Sequence, residues 1–351
     1  MSTLHSIVVP AQDLDASHAA RWDTLLDEAP ARNAFLSRSY VVACALSRET
    51  PVRVCVFLDA QGQAQAFMPF ELDGLQARLL GSAQPAGGSF ADYFGLVAAP
   101  GFRITPEELL RACGLNSLLF THLDSSQDAY GLHGNQPARG LRIRAADGED
   151  FIEALFKRDK KFAADTERRR NKLERDHGPL RFAVESVDSG TLDWLVDLKV
   201  AQYQRTAQRN HPFSRTRDAQ LLKHLAAQAD LRCLPRLTAL YCGDKRIAAH
   251  FGLQCHDTLS YWFPVYTPEL HSYSPGRLLL WETLRHAPSL GIRCVDRGEG
   301  DTQAKRDFAN EEHVYLRGYY ARTTPLAMMD RALNSLRWRL QSLKSTKQAE
   351  S

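Results

Sequence analysis

The sequence predicts an α/β (α+β) chain of two similar halves, each a mixed, mostly antiparallel sheet flanked by helices. Three observations predict it. At 351 residues the chain exceeds a single domain of roughly 100 to 200 residues. Residues 231–265 hold three strand-like runs in succession, parted by the turns Gly243-Asp244-Lys245 and His256-Asp257. The first half follows the same helix-then-hairpin order, without a fixed-period repeat. Apolar residues at 44% and charged ones at 24% exclude a disordered or fibrous chain. No apolar run reaches the ~18 residues of a membrane span, and no basic-then-apolar leader opens the sequence. The expected location is cytoplasmic, with peripheral contact at the inner membrane face as the second expectation.

Element by element, helical spacing predicts helices over His18–Glu28, where Trp22, Leu25 and Leu26 share a face, and over Arg38–Ser47. Val52–Leu58 and Gln63–Phe70 flank Asp59-Ala60-Gln61-Gly62 and predict a hairpin. Ala77–Leu80 predicts a further strand, and Gly87-Gly88-Ser89 an open loop leading to Asp92-Tyr93. A helix over Pro106–Cys113 and a strand over Leu115–Leu123 complete the half. Residues 124–150 are polar and Gly-rich without sustained periodicity, and predict the passage between halves. A basic helix over Ala163–His177 stops at Gly178-Pro179. Helices over Leu192–Thr206 and Asp218–Ala229 precede the strands Leu231–Tyr241, Arg246–Gln254 and Thr258–Val265. A helix over 276–287, a strand over Arg293–Asp296 and a last strand over His313–Tyr320 follow. The expected domains are 1–150, on the acceptor side, 151–323, carrying the chemistry, and 324–351, a basic amphipathic helix and tail. In that tail Leu333, Leu336, Leu340 and Leu343 share one face, which either docks on its own domain or meets a membrane or partner.

Seven cysteines without a CxxC pair speak against a disulfide framework and a zinc knuckle, so buried thiols and no metal are expected. Net charge is only +3, yet residues 157–175 hold nine Lys or Arg against four Asp or Glu. That stretch is either a solvated helix or a binding surface for a nucleotide, a lipid pyrophosphate or tRNA. Walker A, GxSxG, HExxH and dinucleotide GxGxxG patterns are absent at credible positions.

Two clusters carry candidate chemistry. Ser274-Pro275-Gly276-Arg277 reads as a capped helix start, with Ser274 accepting from first-turn amides and Gly276 letting a ligand approach them. Such a terminus binds a pyrophosphate without a P-loop, and Arg277 would add a bidentate contact; an ordinary capped helix is the competing reading. Asp296-Arg297-Gly298-Glu299-Gly300-Asp301, with Lys305 and Phe308 beyond, ends a strand where α/β sheets place ligands. A carboxylate there can take a proton from an amine and Lys305 can stabilise negative charge; the competing reading is a solvated, ion-paired loop. His250 and Tyr261 are candidate base and acid or packed strand residues, and Asp92 is a candidate acceptor contact or a turn former.

Arg246-Ile247-Ala248-Ala249-His250, Tyr261-Trp262-Phe263, Tyr273 to Leu279, and Asp296-Arg297-Gly298-Glu299 together resemble the second half of the CelD-like or BioF-like acyltransferases. These belong to the GNAT superfamily, beside the Fem-type peptidyl transferases. Lys305 and Phe308 are similar to the family's Lys-x-x-aromatic element, and Arg168-Arg169-Arg170-Asn171 to its basic helix. The likeness covers 155–320; before it, Trp22, Leu25, Phe35, Ser37 and Asp92-Tyr93 are similar to the first half. Arg297 departs from the pattern, standing where many relatives carry an apolar or aromatic residue.

The resemblance implies two tandem GNAT-like domains and transfer of an acyl group from a coenzyme A thioester, or an aminoacyl group from tRNA, to an amine or hydroxyl. Asp296 or Glu299 would be the base, with Lys305 or strand amides at the oxyanion. Phe263 and Val265 would hold acetyl-CoA or another acyl-CoA by their backbone, together with Ser274, Gly276 and Arg277; Asp92, Tyr93 and Tyr203 would face the acceptor. The expected enzyme is an acyl-CoA-dependent N-acyltransferase on a sugar or sugar-nucleotide amine in envelope or exopolysaccharide synthesis, with no nucleic-acid partner. The alternatives are a tRNA-dependent Fem-type transferase and an inactive module of a polysaccharide-synthesis complex.

Overall fold

A computed structural model describes residues 5–47, 50–146, 148–186, 190–205 and 216–334. Leu336, Leu340 and Leu343 of the expected tail helix lie outside these residues. The contacts divide the chain into two compact units, built from the described parts of 1–30, 49–137 and 316–351 and of 31–48 and 138–315. Neither is contiguous in sequence.

In chain order the first unit contributes β1 (His5–Pro10), α1 (Ala16–Glu28), β2 (Val52–Leu58), β3 (Ala64–Glu71), and β4 (Ser82–Ala83) to β6 (Ser117–Asp124), with β5 at Val97–Ala98. Strands β1, β2, β3 and β5 form an antiparallel sheet. Trp22 of α1 is buried against Phe67 of β3, the rings stacked at 4.9 Å. Asp59 fixes the β2–β3 hairpin by accepting from the amides of Gln61 and Gln63. The expected strand at Ala77–Leu80 is instead the end of a helix, Gly74–Leu80, closed by Gly81 in the left-handed region. Its Leu75 and Leu79 stay 71% and 68% exposed, so no strand face exists there; strong helix formers and a glycine stop decide the short run.

The second unit holds α2 (Arg38–Ser47), β7 (Gln136–Arg144), α5 (Phe151–Arg158), α6 (Lys160–His177), β8 (Leu180–Val184), α7 (Thr191–Arg205) and α8 (Thr216–Ala226). Beyond them lie β9 (Leu234–Cys242), β10 (Lys245–Cys255), β11 (Thr258–Tyr266), α9 (Pro275–His286), β12 (Cys294–Glu299) and the start of β13 (Glu311–Ala321). The labels α3 and α4 denote Gly74–Leu80 and Pro106–Ala112 of the first unit. Strand order is β13-β7-β12-β11-β10-β9-β8, with β7–β12, β11–β10, β10–β9 and β9–β8 antiparallel and β11–β12 parallel. The expected structureless passage at 124–150 thus contains β7, a sheet strand beside β12. Its signal is a weak alternation in which Leu141 and Ile143 are buried beside half-exposed Arg142 and exposed Arg144.

Helix α9 is almost wholly buried. Leu278 and Leu279 pack on Leu240, Ile247 and Ala248, while Leu280, Trp281 and Leu284 join Ile143, Leu259, Val295 and Phe308. Each such side chain contributes about 1.5–3 kcal/mol by leaving water, so α9 is fixed against the sheet.

What positions the site is the way β11 and β12 part. They pair through Thr258↔Cys294, Leu259↔Val295 and Ser260↔Asp296, and no further. At that level both strands carry an extra residue. β11 bulges against β10, Leu253 facing Ser260 but Phe251 facing Phe263. β12 bulges against β7, Asp296 facing Arg142 but Glu299 facing Gly140. Bulges bend a strand and re-aim its side chains. Gly252 is required opposite the first one, since a Cβ there would lie 2.4 Å from the Ser260 carbonyl oxygen and 2.6 Å from His250 Cε1. Gly252→Ala should therefore destabilise the chain by about 1–3 kcal/mol; an unchanged denaturation midpoint by tryptophan fluorescence would contradict this packing.

Candidate active site

The parted strands border a cleft of about 500 Å3 within the second unit, lined by Tyr261, Pro264 and Tyr266 of β11, Lys199 and Gln202 of α7, Ser274, Gly276 and Arg277 at the start of α9, and Arg297 of β12. Its size suits a small-molecule site of ~300–1,000 Å3. Pro264 is tolerated because β11 has no partner on the β12 side along this stretch.

Among the polar groups that line the cleft, which include His271 and Asp307, three stand at the parted strands and α7. Tyr261 is 6% exposed and its hydroxyl, buried, has no hydrogen-bond partner among the described residues; burial raises it above the ordinary phenol range. Lys199 is 9% exposed, donates to the Pro264 carbonyl at 3.1 Å and to Gln202 Oε1 at 3.3 Å, and burial brings its ammonium down to about 8. Arg297 sits in the β12 bulge with its guanidinium 5.3 Å from the centre of the Tyr261 ring.

Behind them His250 is fully buried and stacked on Tyr261 at 3.9 Å. Its Nε2 accepts the Trp262 amide at 3.2 Å, an unpaired donor released by the β11 bulge. Burial first, then the charges of Arg297 and Lys199, hold the ring down to about 3, so it is neutral at physiological pH.

The acidic turn is placed differently. Asp296 is 2% exposed and does not line the cleft: Oδ2 accepts from Arg142 Nε at 2.9 Å, and Oδ1 from the Gly298 amide at 2.8 Å and the Tyr315 hydroxyl at 3.3 Å. It ties the β12 bulge to β7 and β13, with Gly298 at φ +65°. Lys305 Nζ donates to the carbonyls of Glu299 at 2.6 Å and Gly298 at 3.3 Å, closing the same turn, and neither it nor Glu299 lines the cleft.

At the α9 terminus, Ser274 has φ +58° and makes no side-chain cap, contrary to the sequence expectation. A left-handed residue aims its hydroxyl away from the first turn, and Ser274 Oγ accepts from Arg169 instead. The amides of Arg277 and Leu278 are taken by the Ser274 carbonyl, leaving Gly276 as the first-turn amide without an acceptor among the described residues. Arg277 turns back onto α6: it stacks on Phe162 at 3.8 Å, pairs with Asp165 at 3.1 Å and donates to Thr166 Oγ1 and to the Phe162 carbonyl at 2.6 Å.

The basic helix is largely neutralised within its own unit. Asp165 meets Arg168, Arg169 and Arg277, which hold its carboxyl far below the usual range. Arg170 pairs with Glu174 and the buried Glu282, and Arg175 with Asp176.

Of the remaining expected residues, Phe263 and Val265 are buried beside the cleft, and Tyr203 packs under the Lys199 ammonium at 5.6 Å. Asp92 and the buried Tyr93 belong to the first unit. Lys199 and Arg297 in the cleft went unassigned in the sequence. A lysine on an amphipathic helix carries no signal of burial, whereas Arg297 is visible as a basic residue between two strand-end carboxyl groups. Among the described residues no group of His, Cys, Asp or Glu could hold a metal ion.

A family model described as an acetyltransferase (GNAT) domain matches residues 160–306. No curated protein matches the sequence. Among solved structures, FemX shares the fold with a TM-score of 0.60 at 10% identity, over 93% of this chain and 99% of that one. The C-terminal domain of a protein assigned as a lysylphosphatidylglycerol synthetase from Agrobacterium fabrum gives 0.53 at 13% identity, over 92% and 96%. The Bacillus licheniformis L-PGS structure gives 0.50 at 14%, over 88% and 94%. Mixed sheets flanked by helices, the fold class expected from the sequence, are what these proteins share with the chain. With parallel strands that part beside a buried helix, residues 160–306 match a GNAT-type acetyltransferase domain, and the chain shares its fold with these proteins.

Proposed function

We propose that the chain is an acyl-CoA-dependent N-acyltransferase whose reaction takes place in the cleft between β11 and β12. The carrying observation is the convergence there of an unpaired strand edge, the Gly276 amide, a buried lysine and an unpartnered tyrosine hydroxyl. The pantetheine arm of the donor would lie along residues 261–266 of β11, with the Gly276 amide toward its phosphates. Arg277 serves as a clasp between α9 and α6 rather than as a phosphate ligand. The second unit is our donor-binding unit, and an amino sugar or sugar nucleotide of envelope synthesis our acceptor class.

In the reaction Lys199, neutral, takes a proton from the incoming ammonium, and the freed amine attacks the thioester carbonyl. The C–N bond forms, the C–S bond breaks, and Tyr261 protonates the departing thiolate, recovering its proton from Lys199; Lys199, neutral again, takes the second proton from the new amide nitrogen and releases it to solvent. Asp296 acts as a positioning residue through the bulge, and His250 holds Tyr261 by stacking.

A second reading is aminoacyl transfer of the Fem type, favoured by the fold shared with FemX and with two lysylphosphatidylglycerol synthetases, whose names state a lysyl group and an anionic lipid. Against it stand the ion pairs that already occupy Arg168, Arg169, Arg170 and Arg175. Steep loss of tRNA binding with added salt would support that second reading.

Calorimetry with acetyl-CoA should show saturable binding that weakens roughly tenfold or more, about 1.4 kcal/mol, in Gly276→Asp. Its Cβ would lie 3.2 Å from the Tyr266 ring and its carboxylate would face the donor phosphates. Equal heats would move the donor elsewhere. With acetyl-CoA and a panel of small amines, kcat/KM should rise with pH through about 8, because the protonated form of Lys199 below that value cannot accept a proton. Lys199→Met should lose on the order of 10²- to 10⁴-fold in kcat and with it the pH limb; a limb that persists in the variant would place the base on another group.

A further inference from the structure

Arg297 differs in its surroundings from several arginines of the second unit that have acceptors of their own. Arg142 meets Asp296, Arg144 meets Glu311, Arg170 meets Glu282 and Arg277 meets Asp165. Arg158, without a carboxylate, is taken up by the carbonyls of Asp307, Phe308 and Ala309. Arg297 lines the cleft, its Nη1 is sealed from solvent, and no acceptor among the described residues reaches that atom. Its charge lies 5.3 Å from the centre of the Tyr261 ring, a residue 6% exposed with an unpartnered hydroxyl bordering the same cleft. Asp307 lines the same cleft but makes no ion pair with Arg297 among the described residues, and the neutral His250 behind offers no compensating charge.

Arg297 is half-buried, and a guanidinium with one nitrogen withdrawn from water and no counter-charge suffers a desolvation penalty that a structural residue would ordinarily offset with a carboxylate. The neighbouring Asp296 is 2% exposed and within one residue in sequence, yet it is spent on Arg142, Gly298 and Tyr315. The bulge that Asp296 secures turns Arg297 away from it and toward the cleft. A planar fork with an open donor matches a carboxylate, and one fixed cation balances one negative charge better than a phosphate dianion.

We propose that Arg297 receives a carboxylate carried by one of the two substrates beside the reacting centre. Resting on the acyltransferase reading of this cleft, it narrows the substrates: either the amine acceptor bears a carboxylate, as an amino acid or amino-sugar acid does, or the acyl group has a second, free carboxyl end. Arg297 would orient that substrate, and Lys199 and Tyr261 keep their proton-transfer roles.

The test uses the full chain, Arg297→Met and Arg297→Lys. Without ligand, the thermal midpoint of Arg297→Met should equal or exceed that of the wild type, since an uncompensated charge has been removed. A fall of more than about 4 °C, of the size that loss of one structural contact gives, would make Arg297 a packing residue and overturn the proposal. Next, thermal shifts at matched ionic strength compare glycine with glycinamide and succinate with succinamide, and calorimetry compares succinyl-CoA with acetyl-CoA. At least one acid is expected to bind about tenfold tighter than its uncharged counterpart; the preference should vanish in Arg297→Met and partly return in Arg297→Lys. Preference for glycine places the carboxylate on the acceptor, and preference for succinate or succinyl-CoA places it on the acyl group. No preference in any pair, or inorganic phosphate binding as well as the acids, overturns the proposal. If no CoA thioester binds the wild type, the acyltransferase reading fails, while the free-acid pairs still report on Arg297.

Discussion

The second unit depends on a single constraint: β11 and β12 are parallel and adjacent for three residue pairs, then lose each other. Parallel strands normally continue pairing until a loop takes over, because unpaired backbone groups must find other partners. Here two bulges at the same level supply the exit. One hands the Trp262 amide to the His250 ring; the other hands the Gly298 amide to the Asp296 carboxylate. The side chains that follow the last pair, Tyr261 and Arg297, are thereby brought to one cleft, one stacked over the other.

Charge in this unit is arranged around that opening. The acidic groups that the chain places near strand ends and helix starts are consumed in holding structure: Asp296 in the bulge, Asp165 in the clasp between α6 and α9, Glu282 under Arg170. Buried ion pairs of this kind add little net stability, but removing one partner is costly, which makes them good at fixing geometry. The cleft in turn is lined by Lys199, Arg297 and the Tyr261 hydroxyl, with Asp307 also at its border. Lys199 loses proton affinity there because it is desolvated, and Tyr261 gains it for the same reason. Burial alone makes the lysine easier to deprotonate and keeps the tyrosine protonated.

Much of the fold could be read along the chain. Helices α1 and α2, the β2–β3 hairpin, the three-strand succession β9 to β11 and helix α9 follow from apolar spacing and turn residues, since these are local signals. Strand β7 escaped because polar Arg142 and Arg144 interrupt its pattern, and their reason for being there is Asp296 and Glu311 more than 150 residues away. Residues 74–80 escaped for the opposite reason: the run was too short for spacing to distinguish helix from strand, and Gly81 decided it. Ser274 looked like a cap by residue type, but its left-handed backbone turned the hydroxyl to Arg169.

By itself the sequence determined the class of fold and the succession of strands β9, β10, β11 and β12 along the chain, because periodicity and turn residues are written in consecutive positions. The tertiary structure alone decided which polar groups are available. Whether Asp296 is a base or a brace, and whether Lys199 is a surface charge or a buried amine, depends on desolvation and on partners brought in from distant strands. Those quantities have no local signature in a chain.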